Sequence, residues 1–119
     1  MYQYKIKEVV KVVDGDTIDV IIDLGFKTFI KTRVRLYGIN TPETRLQKSI
    51  ADIDERRKEK ERGLKAKQVV KHMLYGAKGI KLDSRGIGKY GRSLGVITID
   101  GMDESLNDYL LNNGYAVKM

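Results

Sequence analysis

Four short segments of this chain carry side chains that could act together on a charged, oxygen-rich ligand. They are Asp14-Gly15-Asp16-Thr17, Arg35, Asn40-Thr41-Pro42-Glu43-Thr44 and Lys89-Tyr90-Gly91-Arg92. Hard cations such as Ca²⁺ take carboxylate, amide and carbonyl oxygens at about 2.3 to 2.6 Å, and the first and third segments offer all three kinds. A phosphodiester needs the complement, because its negative charge grows in the transition state. The planar guanidinium groups of Arg35 and Arg92 answer that charge with bidentate hydrogen bonds. Each segment also has a plain structural reading. Asp14-Gly15-Asp16 suits a hairpin turn, Arg35 a solvated strand position, residues 41–44 a loop start and residues 89–92 an ordinary turn. Their joint occurrence in one order weighs against four independent readings of that sort.

The elements that must position these residues can be read from periodicity. Tyr4 to Val13 and Thr17 to Leu24 are β-branched or aromatic and partly alternating, with a turn between them, and predict a hairpin. Lys27 to Tyr37 alternates strictly, with Phe29, Lys31, Arg33 and Arg35 against Ile30, Thr32, Val34 and Leu36, so a third strand carries its charges on one face. Gly38 and Pro42, the only proline, close it. Residues Leu46 to Arg62 hold charges of both signs and few apolar anchors; they fit either a solvated helical extension or a mobile segment. Leu64, Val69, Val70, Met73 and Leu74 recur at helical spacing and predict a packed helix over Gly63 to Tyr75. A fourth strand follows at Gly79 to Asp83, a glycine-rich loop at Ser84 to Gly91 and a fifth strand at Ser93 to Ile99. Leu106, Tyr109, Leu110 and Leu111 predict a short second helix, ended by Gly114.

Length and composition bound the partners. At 119 residues and 41% hydrophobic, the chain suffices for one domain, taken here as residues 1–119 with a charged insertion at about 46–62. Lys and Arg outnumber Asp and Glu by 23 to 16, for a net charge of +7, which draws the chain toward polyanions. With no cysteine there is no disulfide framework and no thiolate metal site. The first twenty residues lack a signal-peptide core, and no apolar run approaches the roughly 20 residues needed to span a bilayer. A soluble, cytoplasmic monomer without a membrane partner is expected.

The order of three strands, a helix, two strands and a helix fits a five-stranded Greek-key barrel capped by two or three helices, the α+β, mainly β, OB-fold, and by itself also fits other α+β folds. The chain resembles the staphylococcal nuclease (thermonuclease) family from about Val9 to Val117. The resemblance rests on VDGDT at Val13 to Thr17, VRLYGINTPET at Val34 to Thr44, KYGR at Lys89 to Arg92 and LNDYLLNNGYA at Leu106 to Ala116. It implies an OB-fold nuclease that uses one Ca²⁺ ion and hydrolyses DNA and RNA to 3′-phosphate ends. On this resemblance Asp16 is a direct metal ligand and Thr41 a ligand through its backbone carbonyl. Glu43 orients or deprotonates the attacking water, Arg35 and Arg92 hold the scissile phosphate, and Lys89 and Tyr90 contact the nucleotide's terminal phosphate. Asp14 braces the turn that aims Asp16.

There are departures from the family pattern. Asn40 stands where the family has its second metal-binding aspartate, which removes one negative charge and predicts weaker Ca²⁺ binding. The segment after Thr44 is longer and more charged than in the prototype, the loop before Lys89 is shorter, and an aromatic contact that the prototype supplies beyond the second helix has no matching position. The sequence therefore predicts a calcium-dependent phosphodiesterase acting on DNA or RNA, with single strands preferred. The alternative is a non-catalytic OB module that binds single-stranded nucleic acid. A protein-interaction domain built on Leu46 to Arg62 is the least supported reading.

Overall fold

The computed structural model describes residues 2–47, 49–88 and 91–119. Alternating apolar residues build a barrel whose inside is lined by Val12, Ile18, Val20, Val34, Leu36, Leu82 and Ile97, all nearly inaccessible to solvent. The long first strand, β1 (Tyr2–Asp14), pairs antiparallel with β2 (Thr17–Asp23), which pairs with β3 (Phe29–Leu36). After two residues of β4 (Ile39–Asn40) the chain enters helix α1 (Ile53–Tyr75) and returns through β5 (Ile80–Ile87) and β6 (Ser93–Ile99). The strand order β1-β2-β3-β6-β5 closes on itself, because the start of β1 pairs with β5 from Tyr2↔Ser84 to Lys5↔Lys81. Among the described strands, β3 and β6 are the one parallel pair. Three register shifts along β1 let one strand bend far enough to serve both neighbours. This is the expected five-stranded OB-fold barrel, with α1 and α2 (Leu106–Asn112) packed on it.

The structure settles the alternative left open for the charged segment. Residues from Ile53 onward are helical, so α1 begins ten residues before the packed helix predicted at Gly63. Asp52 caps it, accepting from the backbone N–H groups of Asp54 at 2.8 Å and Glu55 at 3.3 Å. Lys58–Glu55 and Arg62–Glu59 pairs, one turn apart, line this exposed part. The buried face of α1 also differs from the expected one: Leu64 is 45% exposed, and the residues against the barrel are Gly63, Ala66, Val70 and Leu74. Gly63 and Ala66 are small where the helix passes close to the 41–44 loop and to Gly15.

At Gly63 that approach is tightest. A methyl group on Gly63 would overlap the Glu43 carbonyl and lie 2.7 Å from the carbonyl oxygen of Pro42. Alanine in an exposed helix would stabilise by up to about 1 kcal/mol. Here Gly63→Ala is expected instead to destabilise by about 1 to 3 kcal/mol, as overpacking does, and to lower the melting temperature. A melting temperature at or above the parent's would mean that the Pro42–Glu43 backbone yields freely and that α1 does not hold it.

Two more differences from the sequence reading concern strands. The fourth strand runs to Ile87, into the stretch predicted as loop, because a bulge at Arg85 and Gly86 absorbs the glycine without ending the ladder. A two-stranded sheet joins β4 to β7 (Val117–Lys118), pairing Ile39 with Lys118 and Asn40 with Val117. Gly114, expected to end the second helix, has φ +78 one residue beyond the Asn113 cap, as a left-handed C′ glycine does. No helix among the described residues is long and apolar enough to cross a membrane.

Candidate active site

The β1–β2 turn brings the first acidic segment against the loop after β4. Asp14 pairs with Thr17 across the turn, leaving Gly15 and Asp16 at its tip. A Cβ on Gly15 would lie 2.9 Å from Thr41 Cγ2 and 3.0 Å from Ala66 Cβ, so the tip is wedged between the loop and α1. Asp16 is buried there. Its Oδ1 accepts from Thr17 Oγ1 at 3.0 Å, and its Oδ2 accepts from the Thr41 N–H at 3.1 Å. Asp14 reaches the same loop by another route, its Oδ1 accepting from Thr44 Oγ1 at 2.7 Å. The two aspartates thus bind the 41–44 loop at both ends.

Arg35, one residue from the end of β3, connects the two segments. Its Nη1 lies 2.7 Å from Asp16 Oδ2, and its Nη2 donates to Asn40 Oδ1 and, at 3.4 Å, to the Ile39 carbonyl. Both side chains of the Asp16–Arg35 pair are largely removed from water. Such a pair adds little net stability, since desolvation offsets the attraction, but it fixes geometry and makes loss of either partner costly. The site therefore holds one carboxylate, one guanidinium, one amide oxygen and the Thr41 backbone in mutual contact. Thr41 Oγ1 is buried beside them with no hydrogen-bond partner among the described residues.

Glu43 stands at the open side of this cluster. Its backbone N–H donates to Glu59 Oε1 at 3.3 Å, and Glu59 is held in turn by Arg62 at 3.1 Å, so the charged part of α1 reaches back to the loop. Partial burial lifts the Glu43 carboxyl above the ordinary glutamate value. The negative charges of Asp14, Asp16 and Glu59 lift it further, and Arg35 opposes them. A carboxylate moved toward neutral pH is suited to exchange protons with water.

Arg92 immediately precedes β6. The parallel register sets Ser93 beside Val34 and Leu94 beside Arg35, and the inward residues of the two strands are Val34, Leu36, Gly95 and Ile97. By alternation Arg92 and Arg35 share the outward face of neighbouring strands. The structure thus brings Asp16, Arg35, Asn40 and Thr41 into direct contact, sets Asp14 and Glu43 at their edge, and places Arg92 just before the neighbouring strand β6. Lys89 and Tyr90 lie outside the described residues. Sequence reasoning gave no separate role to Thr44, which it named within the 40–44 segment, and missed Glu59 and the close approach at Gly63. Of these, Glu59 had a signal, since Asp52 followed by Glu55 is a helix-start pattern that would have put residues 53–62 on the helix.

Among known proteins, residues 33–119 match the family of staphylococcal nuclease homologues. Protein ParB of Escherichia coli is 31% identical over 93 residues, which is 78% of this chain and 41% of that protein. The chain thus spans about two fifths of the length of that relative.

Proposed function

This chain belongs to the staphylococcal nuclease homologue family, and on that footing we propose that it is a metal-dependent nuclease that cleaves single-stranded DNA or RNA. The family supports a nuclease-type or nucleic-acid-binding function in general. What supports catalysis in particular is one observation: a guanidinium and a carboxyl of raised proton affinity, Arg35 and Glu43, border the same small acidic cluster.

The donor set fits a hard cation of modest affinity. Among the described residues no three His, Cys, Asp or Glu side chains come together to hold a metal; in our reading the ligands would be one carboxylate, Asp16, with the Asn40 amide oxygen and the Thr41 carbonyl. All are oxygens, as Ca²⁺ requires, and Arg35 competes with it for Asp16 and Asn40. When bound, the ion supplies charge neutralisation at the phosphate. In our reading Arg35 and Arg92 hold the non-bridging phosphate oxygens, and Lys89 and Tyr90 contact the neighbouring terminal phosphate. Glu43 takes a proton from water as its oxygen adds to phosphorus. The bond to the 5′ oxygen breaks, and that oxygen takes a proton from solvent, leaving a 3′-phosphate and a 5′-hydroxyl. Asp14 keeps the 41–44 loop in place through Thr44.

The test is incubation of the purified protein with single-stranded DNA and with RNA, each with Ca²⁺ and with EDTA. Metal-dependent cleavage to 3′-phosphate ends is the expected result. Binding without cleavage in Ca²⁺ would overturn the catalytic reading in favour of a non-catalytic binding module.

A further inference from the structure

Next to Arg35 the barrel presents an aromatic ring that the proposed chemistry does not use. Tyr37 follows Arg35 by two residues, in the turn just past the end of β3, so the two Cα atoms are no more than about 7 Å apart. Tyr37 is 49% exposed. Its backbone is clamped at both ends: the N–H donates to the Gly95 carbonyl at 2.8 Å, and the carbonyl accepts from Asn107 Nδ2 at 2.9 Å. Asn107 is itself buried, its Oδ1 accepting from the Ile97 N–H at 3.1 Å and its Nδ2 also donating to the Gly95 carbonyl at 3.2 Å. The exposed ring therefore stands on a rigid base.

A cation backs the ring. The Arg85 guanidinium lies 5.7 Å from the ring centroid, within reach of a cation–π interaction. The bulge in β5 sets its position. Ser84 pairs with Gly95 and Ile87 with Ser93, so Arg85 and Gly86 together face the single residue Leu94, and Gly86 has φ +105. Asp83 Oδ2, 3.5 Å away, steadies the guanidinium. A turn that only had to join β3 to β4 would not need an exposed aromatic ring there, nor a bulge that carries an arginine to it.

We propose that Tyr37, backed by Arg85, is a stacking platform for a nucleobase of single-stranded nucleic acid, adjoining the phosphate held at Arg35. The proposal rests on the nucleic-acid reading above and adds a base contact to it. Every base has a π-face, so such a platform binds with little sequence preference, and a guanidinium beside it adds to the attraction.

The experiment is a titration of a labelled single-stranded oligodeoxynucleotide in EDTA, followed by fluorescence anisotropy, beside an abasic strand of equal length and charge. The parent is expected to bind the intact strand more tightly than the abasic one. Tyr37→Ala should weaken binding of the intact strand by roughly 5- to 100-fold and leave the abasic strand unaffected. Tyr37→Leu, which keeps apolar bulk without a π-face and guards against misfolding of the smaller variant, should behave likewise, and Tyr37→Phe should retain affinity. Equal losses on both strands, or no loss, overturn the platform. A parent that binds intact and abasic strands equally removes the base contact while leaving the phosphate reading in place. A parent that binds neither strand overturns both.

Discussion

Glu43→Gln is expected to lower turnover on single-stranded DNA by at least about 10²-fold, the usual worth of a positioned acid–base group. The same substitution should leave the folded protein at least as stable as the parent at neutral pH. Both effects come from the surroundings of one carboxyl. Burial, then Asp14, Asp16 and Glu59, disfavour its ionised form, and Arg35 only partly compensates. Its proton affinity is therefore higher in the folded chain than in the unfolded one, so above the raised value the ionised carboxylate costs folding free energy. Below the ordinary value both states are protonated and the cost is gone. The stability gap between parent and Gln variant should thus be widest at neutral pH and close as the pH falls from the raised value to the ordinary one. Activity should run the other way, since the parent needs the ionised form and loses rate at a pH above the usual glutamate range. Melting curves across pH, with cleavage rates beside them, test both parts. Cleavage within a few fold of the parent by a natively folded variant would remove Glu43 from the chemistry.

The second large effect is expected at Asn40. Asn40→Asp should tighten Ca²⁺ binding by at least about tenfold, which corresponds to about 1.4 kcal/mol. A charge pair a few ångströms apart at an effective dielectric near 20 is worth roughly 4 kcal/mol gross, and solvation and Arg35 absorb much of that. Arg35 decides what happens without metal. Its Nη2 already donates to Asn40 Oδ1, so an introduced carboxylate would share one guanidinium with Asp16 while facing the negative charge of Asp14 and Glu43. One cation between several carboxylates leaves a net repulsion, so the variant should melt earlier in EDTA and gain more from added Ca²⁺ than the parent. Calorimetric titration and melting with and without Ca²⁺ measure both quantities. Equal affinities in parent and variant would mean that the Asn40 side chain does not touch the ion.

How much of this was legible in the sequence depends on whether a residue's environment is periodic. The strands β1 to β3 and β6 were readable because alternation reports which side faces a core, and the observed strands agree to within two residues at each end. The C-terminal half of α1 was readable from Val70 and Leu74, whereas its first turns carry no apolar anchor and are held by a cap and by charge pairs, which leave no stripe. Leu64 was misread as buried because hydrophobicity was taken as the sign of contact. The closest contact is made by Gly63, where the absence of a side chain lets backbone meet backbone. Strands of two residues, such as β4 and β7, are too short to show any period. At the site, the segments that converge were visible as types and spacings. That Arg35 lies between Asp16 and Asn40 was not visible, because it depends on how far the 41–44 loop folds back over the β1–β2 turn.

The pairing of β4 with β7 bears on the order in which the molecule becomes competent. Asn40 is held in place partly by Val117, and the Met119 N–H donates to the Gly38 carbonyl. These partners are far apart along the chain, so joining them closes a large loop, and the entropy of that closure must be met before the contact rewards it. The β1–β2–β3 meander involves only near neighbours and can form early. During synthesis on a ribosome, residues 117–119 emerge after every strand of the barrel, so the loop bearing Asn40 acquires its last support only then. A nascent chain can thus close its barrel strands before its polar cleft is assembled.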